Sequence, residues 1–206
     1  DEVGNPGHKC RVVVGPGTGD NMGAALGLNA MPGDVIVSLG TSGTAFAVSR
    51  TPARDASGFV AGFADATGHF LPLVCTLNAA RILTSTAALL GVDLEGFSDL
   101  ALAARPGSGG LVLLPYFDGE RTPNLPDARG SLQGVTRDNL TPANLARAAV
   151  EGMLGGLADA VDALVEVGVV PGRILLVGGA ASNPAVGAVA ATLFDVPVIV
   201  PPAGEY

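Results

Sequence analysis

The chain has 206 residues, of which 48% are hydrophobic and 15% charged, a balance that supports a buried core and excludes a disordered polypeptide. Its net charge is −8 and its eleven basic residues are scattered, which argues against a nucleic-acid surface, because phosphate binding needs clustered Lys and Arg. No apolar run reaches the roughly 18–20 residues of a membrane span, and no signal peptide is visible.

In chain order, Asp1 to Lys9 is a short polar stretch, and Arg11–Val14 is a β-branched run that predicts a buried strand closed by Gly15-Pro16-Gly17. Asn21–Asn29, rich in Ala, Leu and Met with Asp20 near its start, predicts a helix. After the Pro32-Gly33-Asp34 turn, Val35–Leu39 and Thr44–Val48 predict a hairpin about Gly40-Thr41-Ser42-Gly43. Phe59–Ala64 and Phe70–Val74 predict a second strand pair, turned at Asp65–His69. Leu77–Leu90 and Leu94–Ala104 read as helices, and Leu111–Leu114 as a short strand.

Residues 115–140, with Pro115, Pro123 and Pro126, hold no sustained period and predict a long loop, which in a compact domain is usually functional. Thr141 offers an N-cap and Pro142 a first helical residue for the longest helix. Its apolar positions Leu145, Ala149, Met153, Leu157, Val161 and Leu164 advance in steps of three and four to about Val167. Arg173–Val177 predicts a strand, Ala185–Phe194 a helix and Val198–Val200 a last strand. The order predicts an α/β fold with a mixed sheet and helices packed on it, without internal repeats. Starting at Asp1 without an initiator Met and stopping at Glu205-Tyr206, the chain reads as a piece of something longer.

Three glycine-rich turns each follow an apolar strand. In Gly15–Asn21, the aspartate Asp20 can serve as a general base toward a hydroxyl, or simply cap the helix that follows. Backbone N–H groups and the hydroxyls of Thr41 and Ser42 suit phosphate oxygens, although such residues also make ordinary hairpin tips. Gly178-Gly179-Ala180-Ala181-Ser182-Asn183 joins a strand to a helix, a setting where nucleotides bind, but matches neither a Walker A nor a dinucleotide fingerprint. Asp118–Pro123 concentrates charge in the long loop, and a solvated loop is its plainest reading; Glu151 and Asp159 read as the solvated face of the long helix. Cys10, Cys75, His8 and His69 lack metal-ligand or disulfide spacing and suit a cytoplasmic protein with reduced thiols.

Together and in order, these segments resemble the FGGY carbohydrate kinases. Thr18–Ala25 is similar to the family's segment with the catalytic aspartate, Gly40-Thr41-Ser42 to its second phosphate motif and Gly178–Asn183 to its adenosine motif. Gly130–Val135, spaced to Asn144–Glu151, fits its second signature. The resemblance runs from about residue 10 to residue 206. Val37–Gly43, Leu77-Asn78 and the Gly-Glu-Arg-Thr-Pro core of 115–126 look most like the bacterial xylulokinase branch.

The resemblance implies an actin-like (ribonuclease H-like) fold in which residues 1–206 form the C-terminal nucleotide-binding domain of a two-domain kinase. It implies ATP and Mg²⁺ as cofactors, Asp20 as catalytic base, and Asp20 and Asn21 as substrate contacts. It places Gly40, Thr41 and Ser42 on the phosphates, and Gly178, Gly179, Ala180 and Asn183 toward the nucleoside. The implied reaction phosphorylates a sugar hydroxyl, foremost that of D-xylulose, with glycerol, ribulose or gluconate as alternative substrates. A non-catalytic actin-like nucleotide module is the alternative from another class. The family's N-terminal domain, its sugar contacts and metal ligands, and its final helix are missing, so the fragment alone is expected to be inactive. Its uncovered interdomain face invites self-association, a homodimer being the simplest form.

Overall fold

Segments 34–39 and 173–177 are apolar almost throughout, with no alternating polar face, as befits strands covered on both sides. The computed structural model describes residues 2–3, 12–13, 15 and 17–202. His8, Cys10, Arg11, Val14, Pro16 and the terminal Glu205-Tyr206 lie outside the described residues. In chain order the elements are β1 (Glu2–Val3), β2 (Val12–Val13), α1 (Asp20–Gly27), β3 (Asp34–Leu39), β4 (Gly43–Ala47), β5 (Ala61–Ala64), β6 (Phe70–Thr76), α2 (Ala80–Leu90), α3 (Leu94–Ala103), β7 (Val112–Leu114), β8 (Ser131–Gln133), α4 (Pro142–Glu166), β9 (Arg173–Val177), α5 (Pro184–Leu193) and β10 (Val198–Ile199).

The main sheet has six strands in the order β10-β9-β3-β4-β6-β5. Strands β10, β9 and β3 run parallel, and β3, β4, β6 and β5 follow antiparallel, so the sheet is mixed, as expected. The strand read at 11–14 is described over Val12–Val13, where it pairs with β1. One expectation needs correction: the loop read at 115–140 contains β8, which pairs antiparallel with β7. Val12 and Val13 find a partner only nine or so residues upstream in the chain, while β8 depends on a partner across the whole loop, and neither pairing leaves a local period.

Side chains alternate across the sheet. Val35, Val37 and Leu39 of β3 join Ile174 and Leu176 of β9 in the larger core cluster, beneath α2, α3, α4 and α5. Ile36 and Leu175 point the other way, into a smaller cluster with Phe46, Leu71 and Ala25 of α1. Helix α4 is the centre of the larger cluster, burying Met153, Leu154, Leu157, Ala160, Val161 and Leu164. Its start is fixed by Thr141, whose hydroxyl accepts the Asn144 N–H at 3.2 Å, with Pro142 at the first turn. It approaches β7 so closely at Gly152 that a Cβ there would collide with the Leu113 carbonyl. Among the described residues, no helix is long and apolar enough to cross a membrane.

Glu151 is not a solvated-face residue. It accepts hydrogen bonds from Arg147 Nε (2.7 Å), the Gly107 N–H (2.9 Å) and the Ser108 hydroxyl (2.9 Å), tying the 107–110 turn to α4. Asp159 does remain exposed.

At the start of the parallel pair, Arg173 Nε and Nη2 donate to Asp34 at 2.6 and 2.9 Å, and the Met31 N–H donates to Asp34 at 2.9 Å. The Arg173 hydrogen bond, opposed by burial and aided by Met31, holds the Asp34 carboxyl below its usual value. A carboxylate depressed on folding adds stability above its unfolded pKa, about 3.9, and that contribution fades as the pH falls through the folded value. Denaturant unfolding over a series of acid pH values should therefore show Asp34→Asn less stable than the parent at neutral pH, with the difference closing as Asp34 protonates. A difference that stays constant to the acid end would rule this linkage out.

Candidate functional site

The register that pairs Asp34 with Arg173 and Ser38 with Val177 brings β3 and β9 to a common end. Their following turns, Gly40–Ser42 and Gly178–Ser182, therefore leave the sheet side by side. Gly178 makes this possible: its φ is +92°, and a Cβ at that position would stand 2.7 Å from the Leu39 carbonyl oxygen. The hairpin tip is held from the other side by the Ala80 N–H, which donates to the Gly40 carbonyl at 3.0 Å. After a short 3₁₀ turn over Gly179–Ser182, Asn183 caps α5, its Oδ1 accepting the N–H groups of Ala185 (2.9 Å) and Val186 (3.3 Å).

A cavity of about 600 Å³ opens at this strand end and brings together Gly40, Thr41, Gly179, Ala180 and Asn183. Ser42 and Gly178 do not line it; Ser42 sits exposed at the hairpin tip, and Gly178 is spent on the close approach to Leu39. The opposite wall was not anticipated as part of a site. It consists of Leu83 and Thr84 on α2 and Leu94, Glu95, Ser98, Asp99 and Leu102 on α3. Leu94 and Leu102 are 48% and 44% exposed, and they fall outside the buried stripe of Phe97 and Ala101. Leucines on a helix beyond its buried stripe are the signal that was available. Ser98 is buried, its hydroxyl accepting the Ala185 N–H at 3.2 Å, so it fixes α3 against the start of α5.

Asp20 and Asn21 lie in a second cavity, of about 570 Å³, with Met22, Phe59, Phe63, Cys75 and Arg121. Asp20 is the first residue of α1 rather than its cap, which is Gly19. Among the described residues, its exposed carboxylate accepts only from its neighbour, the Asn21 N–H at 2.9 Å and Nδ2 at 3.3 Å. Thr44 Oγ1 reaches Asn21 Oδ1 at 3.5 Å, which sets α1 beside the β3–β4 hairpin. Burial pushes the Cys75 thiol up; Arg121 opposes that shift and Asp20 adds to it.

Two loops build the rim of this second cavity. In the first, Asp55 accepts the Val60 N–H (2.7 Å), the Ser57 N–H (2.8 Å) and the Ser57 hydroxyl (2.7 and 2.8 Å), closing the turn that carries Phe59. In the second, Glu120 is 3% exposed, not solvated as its charged loop suggested. It accepts the N–H groups of Leu77 (2.6 Å) and Arg121 (2.7 Å) and Asn78 Nδ2 (2.9 Å). Asp118, at the start of the same loop, does remain exposed and pairs with Arg81 at 2.8 Å. Among the described residues, no three His, Cys, Asp or Glu side chains gather to hold a metal ion.

The profile of the FGGY family of carbohydrate kinases, C-terminal domain, matches residues 35–206. A xylulose kinase of Streptomyces coelicolor is 45% identical over 194 residues, 94% of this chain and 38% of the relative. The crystal structure of a xylulose kinase from Bifidobacterium adolescentis superposes with a TM-score of 0.87 at 48% identity, over 92% of this chain and 38% of that one. A gluconokinase of Bacillus subtilis is 31% identical over 204 residues, 92% of this chain and 40% of the relative. The chain thus spans about 38% of the length of the curated xylulose kinase it matches.

The Asp55 turn has its own pH signature. Its N–H and hydroxyl donors, led by Val60, lower the carboxyl to about 2. Because the folded value lies below the unfolded value of about 3.9, the turn should hold from neutral pH to about pH 4 and loosen as the pH falls toward 2. The amide shifts of Ser57 and Val60, followed by NMR, should report that single acid titration. A midpoint near the unfolded value would mean that Asp55 does not organise the rim.

Proposed function

The chain belongs to the FGGY family of carbohydrate kinases, and on that premise we propose that its protein transfers the γ-phosphoryl group of ATP to a hydroxyl of D-xylulose, giving D-xylulose 5-phosphate. One observation carries the reading: two strand-end turns meet in a cavity suited to a nucleotide, and an uncapped aspartate stands in a neighbouring cavity across the β3–β4 hairpin. Residues 1–206 act as the nucleotide-binding second domain, and a first domain beyond this chain supplies the remaining sugar contacts.

The residues present fit the nucleotide. About 600 Å³ falls within the usual range for small-molecule sites, and Leu83, Leu94 and Leu102 offer apolar walls for a base. Asn183 and Pro184 bring the start of α5 to this wall, where the helix dipole favours anionic groups although the Ala185 and Val186 N–H groups are taken by Asn183. Gly40 and Thr41 steady the phosphates from the hairpin, Gly179, Ala180 and Asn183 hold the nucleoside side, and Ser42 and Gly178 act from outside the cavity wall, Gly178 by letting its turn close on Leu39. Mg²⁺ would neutralise charge on the phosphates, and its protein ligands would lie mainly in the first domain.

Phosphoryl transfer depends chiefly on positioning and charge neutralisation, with a base to receive the hydroxyl proton. Asp20 takes that role, and Asn21 beside it contacts the sugar. The carboxylate suits it because no ion pair or cap consumes it among the described residues. D-Xylulose is preferred because the similarity to xylulose kinases is greater than that to gluconokinases. Gluconate is the second reading, on the strength of the gluconokinase relative, and ribulose or glycerol would follow the same chemistry.

The direct test is ADP release from Mg-ATP by the two-domain protein, with D-xylulose and with gluconate, ribulose and glycerol. Release with D-xylulose above the others supports the proposal; release with another sugar moves the substrate, and none with any sugar turns the domain into a nucleotide-binding module. Asp20→Ala should lower turnover by roughly 10²–10⁴-fold. ATP affinity, measured by calorimetry, should be retained, because the two cavities share no wall residue. Near-normal turnover in that variant would remove Asp20 from the base role.

A further inference from the structure

Resting on the kinase reading above, we propose that Arg121 is the anion-binding member of the Asp20 cavity, receiving the phosphoryl oxygens and holding the phosphate monoester that forms there. The argument begins with unused charge. Asp20 and Arg121 line one cavity, yet among the described residues neither makes an ion pair, with each other or with any neighbour. Left apart, they suit a ligand that presents a proton to one and an anion to the other.

The loop that carries Arg121 is built to hold it still. The Glu120 carboxylate ties the Arg121 N–H to the Leu77 N–H and the Asn78 side chain at the junction of β6 and α2. Asn78 Nδ2 also donates to the Gly119 carbonyl at 2.7 Å, and Glu120 and Leu125 exchange backbone hydrogen bonds of 2.9 Å in both directions. Thr122 and Asn124 of the same loop line the cavity with Arg121. Three donors around the buried Glu120 carboxylate offset the cost of its burial and fix the backbone at Arg121. Glu120 is thus a positioning residue for Arg121.

In the step this arrangement serves, the sugar hydroxyl oxygen forms a bond to the γ-phosphorus and the bond from that phosphorus to the β–γ bridging oxygen breaks. ADP leaves with that oxygen and its electron pair, and the hydroxyl proton passes to the Asp20 carboxylate. Negative charge on the transferred group thereby moves into the Asp20 cavity, where a guanidinium, planar and permanently charged, can meet two of its oxygens. The unphosphorylated sugar gives Arg121 no such partner.

That difference supplies the test, made on the two-domain protein by calorimetry with D-xylulose and with D-xylulose 5-phosphate, both without ATP. Arg121→Met should weaken the phosphate monoester by about 10- to 100-fold and leave the free sugar unchanged. Arg121→Lys should recover part of the loss. Equal loss for sugar and sugar phosphate, or loss of neither, overturns the proposal. Sugar-dependent ADP release by the unaltered protein checks the kinase reading separately, so failure of either is recognised by itself.

Discussion

The parallel pairing of β3 with β9 is the constraint on which the rest depends. Two strands that run the same way and end level deliver two turns to one place; the other parallel pair among the described residues, β9 with β10, is joined only at Val198–Ile199. The close approach of Gly178 to the backbone of Leu39 turns that register into a site, because it lets the second turn fold over the first. Bidentate Arg173–Asp34 contact at the opposite end of the pair guards the same register against slippage. The large cluster under α2, α3, α4 and α5 then holds the cavity walls in fixed relation to the strand ends.

The two cavities are built by different means. Around the first, walls are helices whose cores are already buried, and the cavity lies where their outer leucines fail to meet. Around the second, the walls are loops, and each loop is organised by one carboxylate facing backbone N–H groups: Asp55 for the turn bearing Phe59, Glu120 for the turn bearing Arg121. Such carboxylates replace the core that a loop of this length lacks. The charged rim around Asp20 is thus held by hydrogen bonds rather than by hydrophobic burial.

Much of the fold was legible because its signals are local. Thr141-Pro142 marks the start of α4, Gly40–Gly43 marks a hairpin, and the apolar run 173–177 matches β9 at both ends. The mixed sheet and the actin-like kinase family follow from the order of those signals. What could not be read is what depends on partners far along the chain. Strand β8 exists through pairing with β7, Glu120 is buried by residues some forty positions earlier, and Glu151 is engaged by a turn that precedes it by a similar distance. A charged residue in a loop looks solvated until the fold supplies its donors. The wall from α3 was hidden for the related reason that periodicity reports the buried face of a helix and says nothing of what lies opposite the other. Of the candidate site, Gly40, Thr41, Gly179, Ala180 and Asn183 share a cavity; the aspartate and Asn21 occupy the adjoining one.

Helix α1 stands apart from this architecture. It is eight residues long, it lacks a side-chain cap, and Ala25 is its one buried residue among them. The sheet face it covers belongs to the smaller cluster, whereas the walls of the first cavity draw on the larger. Mutational tolerance is therefore partitioned by face. Substitutions along α1 can retune where the acid sits while hardly touching the free energy of folding, and substitutions under α4 would be lost to instability before any change in chemistry was felt. A scaffold of this kind can change around its second cavity through its least anchored helix while the first cavity stays as it is.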